Sequence, residues 1–359
     1  MKVLFITGSL NQGGAEFQLL QLAKLFKDHR HEVEVFAITD YDFYLPFVKG
    51  HHIPYDHLYN DQKKWKRVWL TAKKIKQVQS DLLISFLKVP SQVAVVAAML
   101  SRYKGIHIVG ERTAYQQGMY DVFHFNLMRR ANAITVNSIS KAKYLETKFY
   151  KKGKVHFTPN IIDTDYFTFI ERPYNTDTTR LGYVGRVSPE KNLLNLIKGV
   201  ILLKEKGVDV ILDIYGDTKH DSYLAEINEL IKKHQMQKSI HLKGKSSNVF
   251  EVYKNIDVLC LISNYEGFSN VISEALCCGL PVITSNIEEN AFLVEHMVNG
   301  IVVDHHKPEK IADGIKTFID LAATEKKRMS YQNRTKAEHL FEKESIYKQY
   351  ISIVELLKI

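Results

Sequence analysis

Two consecutive α/β domains, each a doubly wound parallel sheet, are what this sequence predicts, on three observations. Apolar runs of strand length alternate with segments of helical periodicity. The alternation breaks near residues 158–179, in a stretch rich in Pro, Asn, Asp and Thr, and then starts again. Loops with distinctive residues follow the apolar runs, and in open α/β sheets ligands bind at the carboxyl ends of strands. Parallel neighbours need crossover connections, and the alternating helices supply them.

The first domain is read over residues 1–165. It opens with a strand, Lys2–Ile6, then the loop Gly8-Ser-Leu-Asn-Gln-Gly-Gly14, then a helix marked by Phe17, Leu20, Ala23 and Leu25. Further strands are expected at Glu32–Ile38, Leu82–Phe86, His107–Val109 and Ala133–Val136, with a helix over Gln92–Leu100. The hinge falls at Thr158-Pro159-Asn160 and onward to Arg172-Pro173-Tyr-Asn-Thr-Asp-Thr-Thr179. The second domain, residues 176–340, repeats the pattern with strands at Arg180–Val184, Val210–Ile214, Ile240–Leu242, Val258–Ile262 and Val282–Thr284. Its helices cover about Asn192–Lys206, about Tyr223–His234 and a segment ending near Cys278. Tyr331–Ile359 reads as amphipathic helix with Phe341, Ile346, Tyr350, Ile353 and Leu357 on its packed face; residues 341–359 are free to return to the first domain.

Hydrophobic residues at 45% and charged residues at 25% exclude disordered and fibrous classes. The longest apolar run, Val93–Leu100, falls short of the ~18–20 residues that span a bilayer, and Val3–Ile6 is too short for a signal-peptide core. A cytoplasmic protein is expected. Cys260, Cys277 and Cys278 offer neither a disulfide framework nor metal-ligand spacing. Through Asp165 the chain has 24 Lys and Arg against 14 Asp and Glu, whereas the remainder has 25 against 26. The whole positive excess lies in the first half, which suits an anionic partner: nucleic acid, lipid headgroups or a phosphorylated substrate.

Three segments could carry chemistry. Gly13-Gly14-Ala15-Glu16 opens a helix, where small residues and the helix dipole suit an anion; it lacks dinucleotide-fingerprint spacing, and a tight loop is the plain alternative. Gly185-Arg186-Val-Ser-Pro-Glu-Lys191 follows the first strand of the second domain and places two cations where a diphosphate would sit, unless they are a solvated pair. Glu266-Gly-Phe-Ser-Asn-Val-Ile-Ser-Glu274, running on to Cys-Cys-Gly-Leu-Pro-Val, combines a turn, a helix start near Asn270 and a stop at Gly279. Its two glutamates lie just over two helical turns apart, with the amides of Asn270, Val271 and Ile272 between them; two solvated glutamates are the alternative.

Taken in order, Gly-Gly-Ala-Glu, Gly-Arg-x-x-x-x-Lys, Tyr215-Gly216-Asp217 and the glutamate pair with its trailing Gly-Leu-Pro-Val resemble glycosyltransferase family 4 over nearly the whole chain. Asp217 lacks the glycine that often follows it in that family. The resemblance implies the GT-B fold, two Rossmann-like domains facing a cleft, and transfer of a hexosyl or N-acetylhexosaminyl group from a nucleotide sugar, UDP being the expected nucleotide, with retention of configuration. It implies Glu266, Arg186 and Lys191 as catalytic residues: the cations neutralise the leaving diphosphate and Glu266 contacts donor-sugar hydroxyls. It implies Glu274 on the donor ribose, the amides of Asn270, Val271 and Ile272 on the diphosphate, and Gly13, Gly14 and Lys245 in the donor-binding set. Fixed cations and helix N-termini are the features that stabilise developing charge on a leaving diphosphate.

On the acceptor side, Phe86-Leu-Lys-Val-Pro90 stands where many members have a histidine, so that Lys88 replaces it. This version, followed by Val109-Gly-Glu-Arg-Thr113, is similar to the branch that builds bacterial surface polysaccharides, often on lipid-linked acceptors. Glu111 and Arg112 are acceptor-side candidates, or else a structural ion pair at a strand end. No metal and no cofactor are expected: Asp163-Thr-Asp165 is a turn in the hinge, and His51-His52 and His305-His306 read as exposed loop histidines. Cys277 and Cys278 are assigned to packing.

Lys63-Lys-Trp-Lys-Arg-Val-Trp-Leu70, followed by Lys73, Lys74 and Lys76, would place Trp65, Trp69 and Ala72 on one helical face. Such a helix either lies in a membrane interface, aromatics among headgroups and lysines against anionic lipid, or packs its tryptophans on its own domain. The expectation is thus a cytoplasmic glycosyltransferase, peripheral at the inner face of the membrane, acting on a lipid-linked or growing bacterial saccharide. A nucleotide-sugar epimerase of the same fold and a basic nucleic-acid-binding protein are the alternatives; no recognition motif supports the latter.

Overall fold

The computed structural model describes residues 1–112, 119–174 and 178–358, the side chains of 119–121 excepted. Thr113 and the expected domain start at Thr176 lie outside the described residues. The chain forms two compact units, Met1–Ile161 with Lys343–Ile359, and Ile162–Glu342.

The first unit runs β1 (Lys2–Thr7), α1 (Gly14–Asp28), β2 (Glu32–Ala37), α2 (Leu45–Gly50), β3 (Tyr55–His57), α3 (Lys64–Val78), β4 (Leu82–Phe86), α4 (Lys88–Leu100), β5 (Ile106–Glu111), α5 (Met119–Met128), β6 (Ala133–Val136), α6 (Ile139–Lys148) and β7 (Val155–Phe157). Its seven strands are all parallel, in the order β3-β2-β1-β4-β5-β6-β7. The strands read as continuous apolar runs because helices cover both faces of the sheet. Val3, Phe5 and Ile84 point to one apolar layer, and Leu4, Ile6 and Leu83 to the other. The short edge strands β3 and β7 carry too few apolar residues to be read from the sequence.

The second unit runs β8 (Thr179–Val184), α7 (Leu193–Glu205), β9 (Val210–Tyr215), α8 (Asp221–Lys233), β10 (Ile240–Gly244), α9 (Val249–Lys254), β11 (Val258–Leu261), α10 (Asn270–Cys277), β12 (Val282–Ser285), α11 (Glu288–Leu293), β13 (Gly300–Val303), α12 (Pro308–Asp320) and α13 (Ala323–Phe341). Its six strands are again parallel, in the order β10-β9-β8-β11-β12-β13. In each sheet the strand order reverses once, between β1 and β4 and between β8 and β11. Connections leave such a switch point in opposite directions, which opens a crevice at the carboxyl ends of the strands.

The single terminal helix expected over Tyr331–Ile359 is two helices. α13 ends at Phe341, and α14 (Lys343–Leu356) begins after Glu342. The break lets one amphipathic pattern serve two cores: Phe341 is buried in the second unit, while Ile346, Tyr350 and Ile353 are buried in the first, where Tyr347 meets the Phe26 ring edge-on at 5.4 Å. Leu357 is only half-buried.

Candidate active site

The loop after β8 is shaped by close backbone packing. Gly185 has φ +150°, and a Cβ at Gly216 would lie 1.8 Å from the Gly185 carbonyl oxygen, so the Tyr-Gly-Asp segment needs its glycine to let the two loops touch. Gly185 N donates to Tyr215 O at 3.0 Å, and Val187 N to Asp217 O at 2.9 Å. The turn after β9 therefore holds without a glycine behind Asp217, whose Oδ1 accepts from Thr218 N at 2.8 Å. The buried Tyr183 donates its hydroxyl to Arg186 O at 2.6 Å and fixes the loop from below.

Across the switch point, the loop after β11 is stitched to this one. Asn264 N donates to Glu190 O at 2.9 Å, and Asn264 Nδ2 to Pro189 O at 3.3 Å. That stitching brings Lys191 to Glu266: Nζ lies 2.5 Å from Oε1, which also accepts from the buried Ser263 hydroxyl at 2.7 Å. The Lys191 and Glu266 side chains are 15% and 11% exposed, whereas Arg186 is 79% exposed with Glu190 3.4 Å away. The result is a half-sheltered ion pair on a loop that also carries a cation open to solvent.

α10 starts with Ser269 as its cap. Ser269 Oγ accepts from Ile272 N at 3.3 Å, and the first intrahelical backbone bond is Ser273 N to Ser269 O. Ile272 N–H is thus spent on the cap, a correction to its expected place among the diphosphate donors; Asn270 and Val271 occupy the first turn ahead of that bond. One turn on, the carboxylate of Glu274 accepts from the hydroxyl of fully buried Tyr253 at 2.8 Å. Burial pushes the Glu274 carboxyl up to about 7, with the Tyr253 hydrogen bond acting in the opposite direction. Lys245 is exposed just beyond β10 and meets none of these groups through a described contact.

In the first unit several expectations change. A Cβ at Gly13 would fall 2.1 Å from Glu16 Oε2, so the helix start expected to be open to an anion is covered by the helix's own carboxylate. Burial raises the Glu16 carboxyl, and a hydrogen bond from its own backbone N–H opposes that rise. Gly14, the first residue of α1, is exposed and has no atom within 4 Å of a built Cβ. Lys88 opens α4, half-buried, directly after Leu87, which is held at φ +73°, ψ 154°, a region that side chains rarely adopt.

Glu111 is 3% exposed and both its oxygens are engaged, Oε1 by His124 Nε2 at 2.6 Å and Oε2 by Lys141 Nζ at 2.8 Å. Against desolvation, Lys141 and His124 hold its carboxyl down at about 2. An acceptor cannot reach a carboxylate so enclosed, so Glu111 is structural here. Arg112 donates to Thr158 O and Oγ1, both at 2.9 Å, and to the Tyr350 hydroxyl at 2.8 Å, and its guanidinium lies 4.7 Å from the Phe86 ring centroid. It ties β5 to α14 rather than facing an acceptor.

His305 is also buried, with Nδ1 3.0 Å from Asn286 Oδ1, so the reading of both His305 and His306 as exposed holds for His306 alone. Cys260, Cys277 and Cys278 are buried and free, and no group of three or more His, Cys, Asp and Glu among the described residues is placed to hold a metal ion. On α3, Ala72 is packed, but Trp65 and Trp69 are 69% and 56% exposed, with Lys63, Lys64, Lys66, Lys73 and Lys76 exposed beside them. Lys74 is paired, 2.5 Å from Glu34 and 2.7 Å from Asp56. Sequence reasoning missed His124, Lys141, Tyr253 and Ser263, whose partners lie between 3 and 30 positions away.

Residues 12–166 match the family described as Glycosyltransferase Family 4, and residues 168–337 match the family described as Glycosyl transferases group 1. Both halves of the chain are thus glycosyltransferase domains. This glycosyltransferase is 26% identical over 317 residues to the GalNAc-alpha-(1->4)-GalNAc-alpha-(1->3)-diNAcBac-PP-undecaprenol alpha-1,4-N-acetyl-D-galactosaminyltransferase of Campylobacter jejuni, covering 84% of each chain. It is 23% identical to the capsular polysaccharide biosynthesis glycosyltransferase CapM of Staphylococcus aureus, over 65% of this chain and 60% of that one. The crystal structure of Anabaena HepE in complex with UDP superposes with a TM-score of 0.87 at 20% identity, over 99% of this chain and 100% of that one. At that identity the likeness speaks for the fold, and it is the GT-B fold.

Proposed function

We propose that this chain is a retaining glycosyltransferase that moves a sugar from a UDP-sugar to a lipid-linked or growing saccharide of a bacterial surface polysaccharide. The observation that carries the site is the Lys191–Glu266 pair, built by two loops that flank the switch point of the second sheet. Lys191 and the solvent-exposed Arg186 of the same loop supply positive charge for a diphosphate as its bond to the sugar breaks and the new bond to an acceptor hydroxyl forms. Glu266 is held by Lys191 and Ser263 where it can accept from donor-sugar hydroxyls, and Glu274 accepts from the ribose. The names of the Campylobacter and Staphylococcus relatives support the polysaccharide context, the former naming an undecaprenol-linked substrate, and the UDP in the HepE crystal supports the nucleotide. Retention rests on the family resemblance.

The test separates binding from transfer. Glu266→Gln should keep UDP affinity within about twofold and lose transfer by at least about a hundredfold. Unaltered turnover in that variant would remove Glu266 from the mechanism. The anomeric configuration of the product, followed by NMR against that of the donor, decides retention.

Membrane contact belongs to the same reading, because Trp65 and Trp69 are exposed among five exposed lysines instead of packing on their own domain. Wild type should float with vesicles containing anionic lipid and Trp65→Ala should float less; an equal absence of binding in both would remove the membrane from the proposal.

A further inference from the structure

The two glutamates of the second unit are held in different ways. Glu266 has a cation, Lys191, on its carboxylate. Glu274 has none: among the described residues, Tyr253 is the one side chain that hydrogen-bonds it. Tyr253 is fully buried, and its hydroxyl lies 2.8 Å from Glu274 Oε2 and 3.3 Å from Val271 O, so it spans the first turn of α10 and the glutamate one turn on.

The two helices that carry this contact are themselves clamped. Arg172, 5% exposed, donates through Nη2 to Tyr253 O at 2.7 Å, through Nη1 to Cys278 O at 3.2 Å and through Nε to Ile256 O at 3.2 Å. Tyr253 O lies near the end of α9, and Cys278 directly follows α10. One guanidinium therefore sets the spacing between the tyrosine's helix and the glutamate's helix. A buried hydroxyl with one strong acceptor, on a backbone locked by a buried arginine, has little freedom to rotate away.

We propose that Tyr253 is the positioning residue of nucleotide recognition, its hydroxyl fixing the Glu274 carboxylate as an acceptor for the ribose hydroxyls of the donor. The inference rests on the reading of Glu274 as the ribose ligand and adds what orients it. With Tyr253 donating to Oε2, the carboxylate presents Oε1 and its remaining lone pairs to a ligand. A hydrogen bond to the ionised form favours that form, so Tyr253 also keeps Glu274 an acceptor in a site where burial works against ionisation. The other titratable groups around Glu274 do not replace it. Burial holds the Cys277 and Cys278 thiols protonated, Arg334 on α13 is engaged by Cys277 O, Phe167 O and Glu338, and neighbouring α11 contributes only the acids Glu288 and Glu289.

Titration calorimetry with UDP and 2′-deoxy-UDP between about pH 6 and pH 8.5 tests this in wild type, Tyr253→Phe, Glu274→Gln and the double variant, each first checked for a cooperative melt. Removing the hydroxyl should move the Glu274 titration upward; a shift of one unit weakens UDP about fivefold near pH 7 and closes the gap near pH 8.5. The preference for UDP over 2′-deoxy-UDP should shrink in Tyr253→Phe, and the phenylalanine should add nothing once Glu274 is glutamine. The Glu274 carboxyl followed by 13C NMR gives the same shift without any ligand. If Tyr253→Phe binds UDP like wild type at every pH, or weakens it equally at every pH and in the Glu274→Gln background, positioning is overturned. If Glu274→Gln itself leaves UDP binding and the 2′-hydroxyl preference intact, the ribose reading fails instead, and the inference with it.

Discussion

The two units each place a lysine–glutamate pair at the carboxyl end of a parallel sheet, yet the pairs differ in what surrounds them. In the first unit Glu111 and Lys141 are 3% exposed, and His124 closes the remaining side. In the second, Lys191 and Glu266 keep 15% and 11% of their side-chain surface, and Arg186 stands beside them in solvent. Position at a strand's carboxyl end marks both. Access separates them: a carboxylate whose two oxygens are already taken by protein donors holds the fold, and one that keeps lone pairs near solvent can meet a ligand.

Removing each lysine puts the comparison at risk. Lys141→Met strands a buried carboxylate and should cost about 3–5 kcal/mol in urea unfolding; a loss below about 1 kcal/mol would deny the first pair its structural role. The pH dependence shares that origin. The folded Glu111 carboxyl lies at about 2, below its ordinary 4.5, so its contribution is complete above about 4.5 and disappears as pH falls from there toward about 2.

Glu274 has the opposite sign. Its folded value of about 7 lies above its ordinary 4.5, so stability present below about 4.5 is lost as pH rises toward 7. Glu274→Gln should therefore be more stable than wild type near neutral pH by about 1–3 kcal/mol, while binding UDP less well, as expected where a site holds a poorly solvated charge for function. Melting curves at about pH 5 and pH 7.5 check it, because the gain should appear only at the higher pH.

The smallest effect on folding is expected from Lys191→Ala, about 1 kcal/mol, because Ser263 still donates to Glu266 and the site borders solvent. Its effect on UDP affinity should be larger, about tenfold or more, and should weaken with added salt. Equal stability losses for Lys191→Ala and Lys141→Met would erase the distinction between the two pairs.

Much of the geometry of the second unit's candidate site is legible in the sequence because its parts are local. Gly185 to Lys191 and Glu266 to Glu274 are short segments in which turn, cap and charge lie within ten positions of one another, so residue types and spacing mark them. The first unit offered no comparable legibility. Glu111 and Arg112 have partners 13 to 238 positions away, at His124, Lys141, Thr158 and Tyr350, and no local spacing tells a ligand from an ion pair over such separations. The tryptophans of α3 were ambiguous for the same reason: a helical stripe records which residues share a face, and only the packed neighbours decide whether that face is covered.

The sequence by itself determined the two alternating α/β series and the local character of the loops that carry Arg186, Lys191, Glu266 and Glu274. Periodicity and turn chemistry are properties of neighbouring residues, so they are set before the chain folds. The tertiary structure alone decided that Glu16 covers its own helix start, that Ile272 N–H is spent on a serine cap, that the terminal helix breaks at Glu342 to fill two cores, and that Tyr253 holds Glu274. Each of these depends on the direction of a side chain and on what chain folding brings beside it, and desolvation, which raises the Glu111 and Glu274 carboxyls alike and is overcome at Glu111 by Lys141 and His124, exists only once those neighbours have excluded water.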